Sequence, residues 1–197
     1  MSKLVAVTGA TGFIGNVLIQ RLVEDGWKVR ALTRTYRSDS RDSIHWIHGD
    51  LDNLTALHHL VNGVAFVIHC AATVRGNSFE EFSHINVQGT KNLLRAISEQ
   101  KQYSDQLSWT IFRPTAVYGP GDKELKPLFQ AMHRGLLPVI GKIHNRFGLI
   151  HVEDLIAAIQ LWLDSDTDIN GIFELDDGVP NGYSYQSLSV LAQQIWK

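Results

Sequence analysis

The stretch Thr8-Gly9-Ala10-Thr11-Gly12-Phe13-Ile14-Gly15 decides the fold class of this chain. A short apolar and β-branched run, Leu4–Thr8, precedes it and predicts a buried strand, while apolar residues at helical spacing follow and predict a helix over 13–25. Glycines between a strand and a helix permit a tight turn and let the backbone approach a pyrophosphate. The free N–H groups at a helix N-terminus also attract phosphate. The motif predicts a phosphate-binding loop, and an ordinary strand-to-helix turn is the alternative.

Strand-like and helix-like segments alternate along the rest of the chain. Further strands are predicted over 28–33, 45–48, 64–70, 108–112 and 171–175, and further helices over 51–62, 80–100, 123–134, 152–163 and 184–196. Asp50 or Asp52 is expected to cap the helix over 51–62. This order is typical of an α/β protein with a Rossmann-like, doubly wound parallel sheet and helices on both faces. We expect a dinucleotide-binding core over 1–122, with 123–197 forming a partial substrate-side region packed on the same core.

Composition excludes several classes of partner. The chain has 197 residues, 44% of them hydrophobic, and a net charge of −2, which gives no reason to expect nucleic acid or an anionic membrane surface. Its single cysteine, Cys70, excludes an internal disulfide and suits a reducing compartment. There is no signal-peptide pattern, and the longest nearly apolar stretch, 64–74, is too short to span a bilayer. We therefore predict a soluble, cytoplasmic protein.

The residues after the second predicted strand indicate which dinucleotide binds. In a Rossmann fold the residue ending that strand meets the adenosine ribose, about 20 residues past the glycine loop, where an acid binds the 2′-hydroxyl and repels a 2′-phosphate. Here Arg34 holds that place, Arg37 and Arg41 follow, and no acid occurs before Asp39. Because arginine can bind a phosphate with two hydrogen bonds, the sequence predicts NADP(H) in preference to NAD(H). The alternative is a solvated basic loop.

Five further blocks follow the glycine motif in order. They are Gly49-Asp50-Leu51, His69-Cys70-Ala71-Ala72, Asn86-Val87-Gln88-Gly89-Thr90-Lys91-Asn92-Leu93-Leu94, Arg113-Pro114-Thr115-Ala116-Val117-Tyr118-Gly119-Pro120-Gly121 and His151-Val152-Glu153-Asp154-Leu155. Together they make most of the chain resemble the extended short-chain dehydrogenase/reductase superfamily, the NAD(P)-dependent epimerase/dehydratase group. The resemblance implies an oxidoreductase, epimerase or dehydratase that acts on a hydroxyl or carbonyl of a small molecule, such as a nucleotide sugar or a sterol-like alcohol. It also implies hydride transfer at the nicotinamide, with a tyrosine moving the proton.

The resemblance implies a role for each matched residue. The pyrophosphate would be held by Gly9, Thr11, Gly12, Phe13, Ile14 and Gly15; the adenine would meet Asp50 and Leu51; Ala71, Ala72 and Thr73 would lie beside the ribose; Asn86 would support the site from behind; and Pro114, Thr115 and Val117 would border the nicotinamide. His151 would lie near the substrate side. Asp50 and Asn86 have an alternative role as ordinary capping or core-satisfying polar residues.

The acid/base pair that this resemblance implies, Tyr-x-x-x-Lys, is not in the sequence. None of the five tyrosines, Tyr36, Tyr103, Tyr118, Tyr183 and Tyr185, has a lysine four residues later. The family places a strand and the Tyr/Lys helix between the Asn86 block and Arg113, whereas here Gln100 leads almost at once to the strand over 108–112. One strand-helix unit of roughly 40 residues is therefore expected to be absent, and the C-terminal substrate portion to be short.

Three functional readings follow from this pattern. The chain is a family enzyme whose turnover is nearly lost, a non-catalytic NADP(H)-binding sensor or partner-binding protein, or a non-functional deletion variant. Family members often form dimers through a helix next to or within the absent segment, so a homodimer is a possible assembly. No catalytic residue is assigned.

Other candidate sites are weaker. The nine histidines show no His-Glu-x-x-His spacing, so no metal site is predicted. Cys70 beside His69 is expected to be a small buried hydrophobe rather than a nucleophile. No serine lies in a Gly-x-Ser-x-Gly elbow, which leaves a hydrolase without support.

Overall fold

The computed structural model describes residues 3–37, 42–74, 78–100, 108–139, 141–165 and 169–195. The chain divides into two compact units, Met1–Leu107 and Ser108–Lys197. The boundary expected at residue 122 separates a cofactor core from a substrate side, and it stays a prediction about function. In the part of the chain that the structure describes, no helix is both long and apolar enough to cross a membrane.

The first unit is built on four parallel strands. They are β1 (Leu4–Thr8), β2 (Lys28–Thr33), β3 (Ile44–His48) and β4 (Phe66–His69). The strand order is β3-β2-β1-β4, and Val5 of β1 lies between Val29 of β2 and Phe66 of β4. The carboxyl ends of β1 and β4 therefore meet at one edge, where Thr8 lies opposite His69. The prediction of a Rossmann-like parallel sheet is confirmed.

Helices cover both faces of this sheet. They are α1 (Phe13–Glu24), α2 (Leu54–Val61), α3 (Phe79–Ser83), a π-helical segment (His84–Gln88) and α4 (Gly89–Ser98). Ala6 of β1 joins one cluster with Leu57 of α2 and Leu93 of α4. Val5 and Val7 point to the opposite face, because side chains alternate along a strand, and they are fully buried there. On that face α1 packs with its Leu18, Ile19 and Leu22 side chains buried.

Two predicted helices of the first unit have different bounds in the structure. α2 begins at Leu54 and its cap is Asn53, whose side chain accepts a hydrogen bond from the Ala56 N–H, so the expected caps Asp50 and Asp52 were wrong. The Asp50 carboxylate instead accepts from the Asp52 and Asn53 N–H groups, which holds the preceding loop as a turn. The single helix predicted over 80–100 is α3 and α4 joined by the π-helical segment.

The described residues of the second unit form three strand pairs. Parallel pairs join β5 (Thr110–Pro114) to β9 (Gly171–Leu175) and β6 (Ala116–Tyr118) to β8 (Leu149–His151); β7 (Arg146–Phe147) and β10 (Tyr183–Ser184) pair antiparallel. The helices are α5 (Lys126–His133), α6 (Val152–Leu163) and α7 (Tyr185–Ile195). A core of Met132, Leu149, Tyr185, Leu188 and Ala192 joins α5, β8 and α7.

The sequence pattern placed α6 and β9 correctly but displaced two other elements. The strand predicted over 108–112 is β5, which begins at Thr110, and the helix predicted from 123 begins at Lys126. Asp122 explains the later start, because its buried carboxylate binds the Glu124 and Leu125 N–H groups and fixes a turn there. β7 and β10 are two residues long, too short to give a period-2 pattern.

Candidate cofactor site

The glycine motif forms a closely packed turn between β1 and α1. Gly9 has φ +69°, a left-handed conformation, and a Cβ there would lie 2.6 Å from the Ala71 nitrogen. A Cβ on Gly15 would overlap the Gly9 carbonyl, and one on Gly12 would lie 3.2 Å from the same oxygen. The turn closes through a hydrogen bond from the Gly12 N–H to the Gly9 carbonyl, 2.9 Å. This cradle accepts glycine alone at Gly9 and Gly15, so the residues present fit a pyrophosphate at the turn.

The N-terminus of α1 is open to an anion. Gly12 occupies the cap position with extended backbone, and no side chain caps the first turn, which carries no acidic residue. Phe13 and Ile14, partly buried, and the exposed Thr11 surround this end of the helix. The unpaired first-turn N–H groups and the helix dipole both favour a phosphate there.

The basic residues after β2 lie on an exposed loop. Arg34 follows Thr33, the last residue of β2, and its side chain is exposed. The Thr33 hydroxyl donates to the Thr35 carbonyl, 2.9 Å, which turns the chain directly after Arg34. The Arg37 guanidinium lies over the Trp46 ring of β3, 5.2 Å from its centroid. Arg41 and Asp39, also part of the sequence prediction, lie outside the described residues.

The loop after β3 holds the two residues assigned to adenine. One oxygen of the exposed Asp50 carboxylate is used by the backbone turn described above, so Asp50 holds the loop and does not cap the helix. Leu51 is held by α4, because the Asn92 side-chain amide donates to the Leu51 carbonyl at 2.9 Å. A Cβ on Gly89 would lie 2.6 Å from Leu51 Cδ1. The sequence alone predicted no role for Asn92, although this residue lies in the block Asn86–Leu94 that carries the family resemblance.

The loop after β4 is held by Asn86. Its side-chain carbonyl accepts from the Thr73 N–H at 2.8 Å, and its amide donates to the Thr73 carbonyl at 3.0 Å. Both backbone polar groups of Thr73 are thereby fixed, and with them the loop that contains Ala71 and Ala72. Asn86 lies inside the π-helical segment. A π-helical turn inside an α-helix often accompanies a functional position, and a 3.6-residue hydrophobic period does not reveal it.

His69 and Cys70 end β4 beside this loop. Burial lowers the pKa of His69 below its usual range, so the ring is neutral at pH 7. Burial raises the pKa of the Cys70 thiol to about 11, which keeps it protonated. A protonated thiol is a poor nucleophile, and this agrees with the expected role of Cys70 as a small buried hydrophobe.

The remaining predicted residues belong to the second unit. Pro114 ends β5, Val117 lies in β6, and Thr115 stands between them. The Thr115 hydroxyl is buried, with no hydrogen-bond partner among the described residues. His151 caps α6, where its Nδ1 accepts from the Glu153 N–H at 3.3 Å.

Two tyrosines of the second unit have high pKa values. The Tyr183 hydroxyl donates to Asp177 at 2.7 Å, and this hydrogen bond raises the Tyr183 pKa to about 12. Burial, with the nearby Asp177 and Asp154 carboxylates, raises the pKa of Tyr118. A general acid/base works best with a pKa near the working pH, so these shifts run opposite to what that role needs. Among the residues that the structure describes, no three His, Cys, Asp or Glu side chains are grouped to hold a metal ion.

Comparison with known proteins agrees with this geometry. A model of the NAD dependent epimerase/dehydratase family matches residues 5–104, which contain the strands, glycine turn and helices of the first unit. The chain belongs to this family. Over 94% of its length it is 32% identical to the ceramide reductase of Caulobacter vibrioides, of which it spans 68%. Over 78% of its length it is 24% identical to the 2-alkyl-3-oxoalkanoate reductase of Stenotrophomonas maltophilia, of which it spans 63%.

Solved structures agree on the fold. MoeE5 in complex with UDP-glucuronic acid and NAD superposes with a TM-score of 0.81 at 22% identity, covering 98% of this chain and 82% of that one. The family comprises NAD(P)-dependent epimerases and reductases with a Rossmann fold, so NAD(P) is the family's cofactor.

One of these alignments is longer than this chain. The match to the ceramide reductase runs over 224 residues, whereas the chain has 197. The alignment therefore includes positions of the reductase that have no counterpart here. The expectation that one strand-helix unit is absent before β5 stays a prediction, and this difference in length supports it.

Proposed function

We propose that this chain binds NADP(H), in preference to NAD(H), through the glycine turn and Arg34. The observation that carries the proposal is the glycine turn itself: a Cβ on Gly15 would overlap the Gly9 carbonyl, and no side chain caps the N-terminus of α1 that follows. The phosphate groups of a dinucleotide carry negative charge and acceptor oxygens, and both are bound favourably by the free N–H groups of this helix end. Asp50 and Leu51 follow β3 and residues 71–73 follow β4, at the same carboxyl edge of the sheet, and they would meet the adenosine half.

Arg34 supports the preference for the 2′-phosphate. Its exposed guanidinium follows β2 directly, and the described residues after it, Thr35, Tyr36 and Arg37, include no acid. A carboxylate at this place would favour the unmodified ribose by binding its 2′-hydroxyl, whereas a guanidinium favours the phosphate. Arg34 is exposed, and no carboxylate of the described residues forms an ion pair with it.

Calorimetric titration of the purified chain with NADPH, and with NADH as comparator, tests the proposal. We expect saturable binding of one dinucleotide per chain, tighter for NADPH. Lys28→Ala, which changes another exposed cation of β2, should leave both affinities unchanged. Equal affinity for the two dinucleotides would contradict the preference, and no binding by a cooperatively melting sample would contradict the function.

We further propose that hydride transfer by this chain is nearly absent. Losing a positioned acid/base costs a factor of about 10² to 10⁴ in rate, and no tyrosine here has a lysine four residues later. A substrate would be a small molecule with a hydroxyl or carbonyl, and the similarity to a ceramide reductase favours a lipid over a nucleotide sugar. Reduction of NADP⁺ is measured with ceramide and with a UDP-sugar, since each offers a secondary hydroxyl that can donate a hydride. Dinucleotide binding without turnover favours a non-catalytic sensor, whereas turnover with either refutes this proposal.

A homodimer is the assembly that the outer face of α3 and α4 supports. Phe79, Val87 and Leu94 expose 80%, 48% and 51% of their surface. Glu80 and Lys91 line the same shallow groove as Phe79 and Val87. If two copies pair antiparallel with Val87 near the two-fold axis, Phe79 comes opposite Leu94 of the second copy, and Glu80 lies about two residues, or about 3 Å along the helix, from its Lys91. The face would thus set apolar side chains against apolar side chains and opposite charges near each other.

A further inference from the structure

A chain of hydrogen bonds runs behind the proposed dinucleotide site from one loop to the other. The Thr8 hydroxyl lies 2.6 Å from His69 Nδ1, and His69 Nε2 lies 3.0 Å from the Thr90 hydroxyl. The Thr90 hydroxyl donates to the Asn86 backbone carbonyl at 2.7 Å, and the Asn86 side chain binds the backbone N–H and carbonyl of Thr73. Thr8 directly precedes the glycine turn, and Thr73 lies in the loop after β4. This series of hydrogen bonds therefore connects the glycine turn to the loop after β4.

The partners of His69 fix which ring nitrogen carries the proton. A hydroxyl has one hydrogen, and Thr90 uses it for the Asn86 carbonyl, so toward His69 its oxygen can only accept. Nε2 must then carry the hydrogen, and Nδ1 of the neutral ring must accept from the Thr8 hydroxyl. A second proton on the ring would go to Nδ1 and turn that acceptor into a donor. The Thr8 hydroxyl, fully buried, would then need another acceptor.

We propose that His69, in its neutral Nε2–H form, is a positioning residue that keeps the glycine turn and the loop 71–74 in the geometry that binds the dinucleotide. This rests on the proposed dinucleotide-binding function. Both ring nitrogens contact protein hydroxyls, so His69 acts through Thr8 on one side and through Thr90 and Asn86 on the other. Protonation of the ring reverses the first hydrogen bond and takes the acceptor away from the buried Thr8 O–H, so acid loosens both loops and weakens binding.

The groups in contact with the His69 ring do not change charge between pH 5.5 and pH 8, so the ring itself is the group that titrates there. β1 presents the Thr8 hydroxyl to it, α4 presents the Thr90 hydroxyl, and the adjacent Cys70 thiol stays protonated up to about pH 11. The ionisable neighbours Lys91 and His84 lie along the outer groove of α3 and α4. Burial alone lowers the pKa of His69, which agrees with a ring held in the neutral form.

Nuclear magnetic resonance of the ring nitrogens and backbone amides tests this without any cofactor. We expect the Nε2–H tautomer at pH 7.5, and amide signals of Gly9 and Thr73 that shift together with His69 as the pH falls. The Nδ1–H tautomer, or Gly9 and Thr73 amide shifts that stay constant while His69 titrates, would overturn the proposal.

Binding of NADP⁺ measured from pH 8 to pH 5.5 tests the consequence. His69→Gln keeps a donor toward Thr90 but cannot titrate, so we expect about fivefold weaker binding at pH 7.5 and a flatter dependence on acid than in the wild type. The 2′-phosphate itself titrates near pH 6, so the matched control is His59→Gln on the exposed side of α2, which should keep the wild-type profile. A purely structural role of His69 would weaken binding by the same factor at every pH.

Thr90 gives a second pair of variants if His69→Gln fails to fold. Thr90→Ser keeps the hydroxyl and should retain affinity, whereas Thr90→Val removes it and should weaken binding about fivefold. Equal affinity of the two Thr90 variants, or an unchanged acid dependence in His69→Gln, refutes the positioning role. A wild-type chain that binds no dinucleotide at any pH refutes the proposed function instead, and the resonance titration then decides the role of His69.

Discussion

Arg34 is the residue on which the choice between the two dinucleotides depends. Its guanidinium is exposed directly after β2, whereas Arg37, three residues on, rests against Trp46. The two arginines are therefore not equivalent, although the sequence alone treats them as one basic run. Only the first stands where the ribose is expected.

Replacing Arg34 should invert the preference. We expect Arg34→Asp to weaken NADPH binding by about 10-fold to 100-fold, since a hydrogen-bonded charge is lost and a like charge faces the 2′-phosphate. NADH binding should stay the same or improve, because the new carboxylate can accept from the 2′-hydroxyl. Calorimetric dissociation constants for both dinucleotides check this. If Arg37→Asp had the larger effect, the assignment of Arg34 would be wrong.

At the scale of the elements, two glycines in helices differ in what an added Cβ would meet. Gly15 of α1 faces the carbonyl of Gly9, and Gly89 of α4 faces the Leu51 side chain. The Gly9 carbonyl cannot move unless the glycine turn moves with it, whereas the Leu51 side chain can change its rotamer.

Alanine at the two positions should therefore have unequal costs. We expect Gly15→Ala to lower the free energy of unfolding by about 1–3 kcal/mol, or roughly 2–12 °C in melting temperature, and to abolish dinucleotide binding. Gly89→Ala should cost less stability, because alanine favours the helix by about 1 kcal/mol, and should weaken binding only through Leu51. Thermal melts and titrations of both variants give the comparison. Equal losses would mean that the turn tolerates a Cβ.

The elements also separate what the sequence could predict from what it could not. β1, the glycine turn and α1 were predicted within one residue, because a buried β-branched run, three glycines and an apolar stripe each indicate the same structure. The π-helical segment and its Asn86 contacts could not be found in that way, since apolar spacing over 80–100 fits an uninterrupted helix. The link from His69 to Thr90 joins residues 21 positions apart, and no local pattern encodes it.

At the scale of the whole molecule, the proposed homodimer makes a prediction about mass in solution. Glu80→Lys places two like charges opposite each other across the antiparallel pair, so we expect a shift toward monomer in sedimentation velocity. The double variant Glu80→Lys with Lys91→Glu restores opposite charges and should recover the dimer. Lys28→Glu, a change of charge of the same size and opposite sign elsewhere on the first unit, is the control. A wild-type chain that sediments as a monomer at high micromolar concentration would contradict the pairing.

The pairing of β5 with β9 has a consequence for the order of folding. Every residue from Thr110 to Pro114 finds its partner about 60 positions later, at Gly171 to Leu175. On the ribosome, β1 to α4 can assemble as soon as residue 98 has emerged, whereas β5 must wait for almost the whole remaining sequence. During that interval Trp109 and Ile111 lack the partner strand, and a chaperone that shields apolar strands would act on this segment. The nucleotide-binding half is therefore expected to form first during synthesis, and added dinucleotide to protect it from protease before the second half has folded.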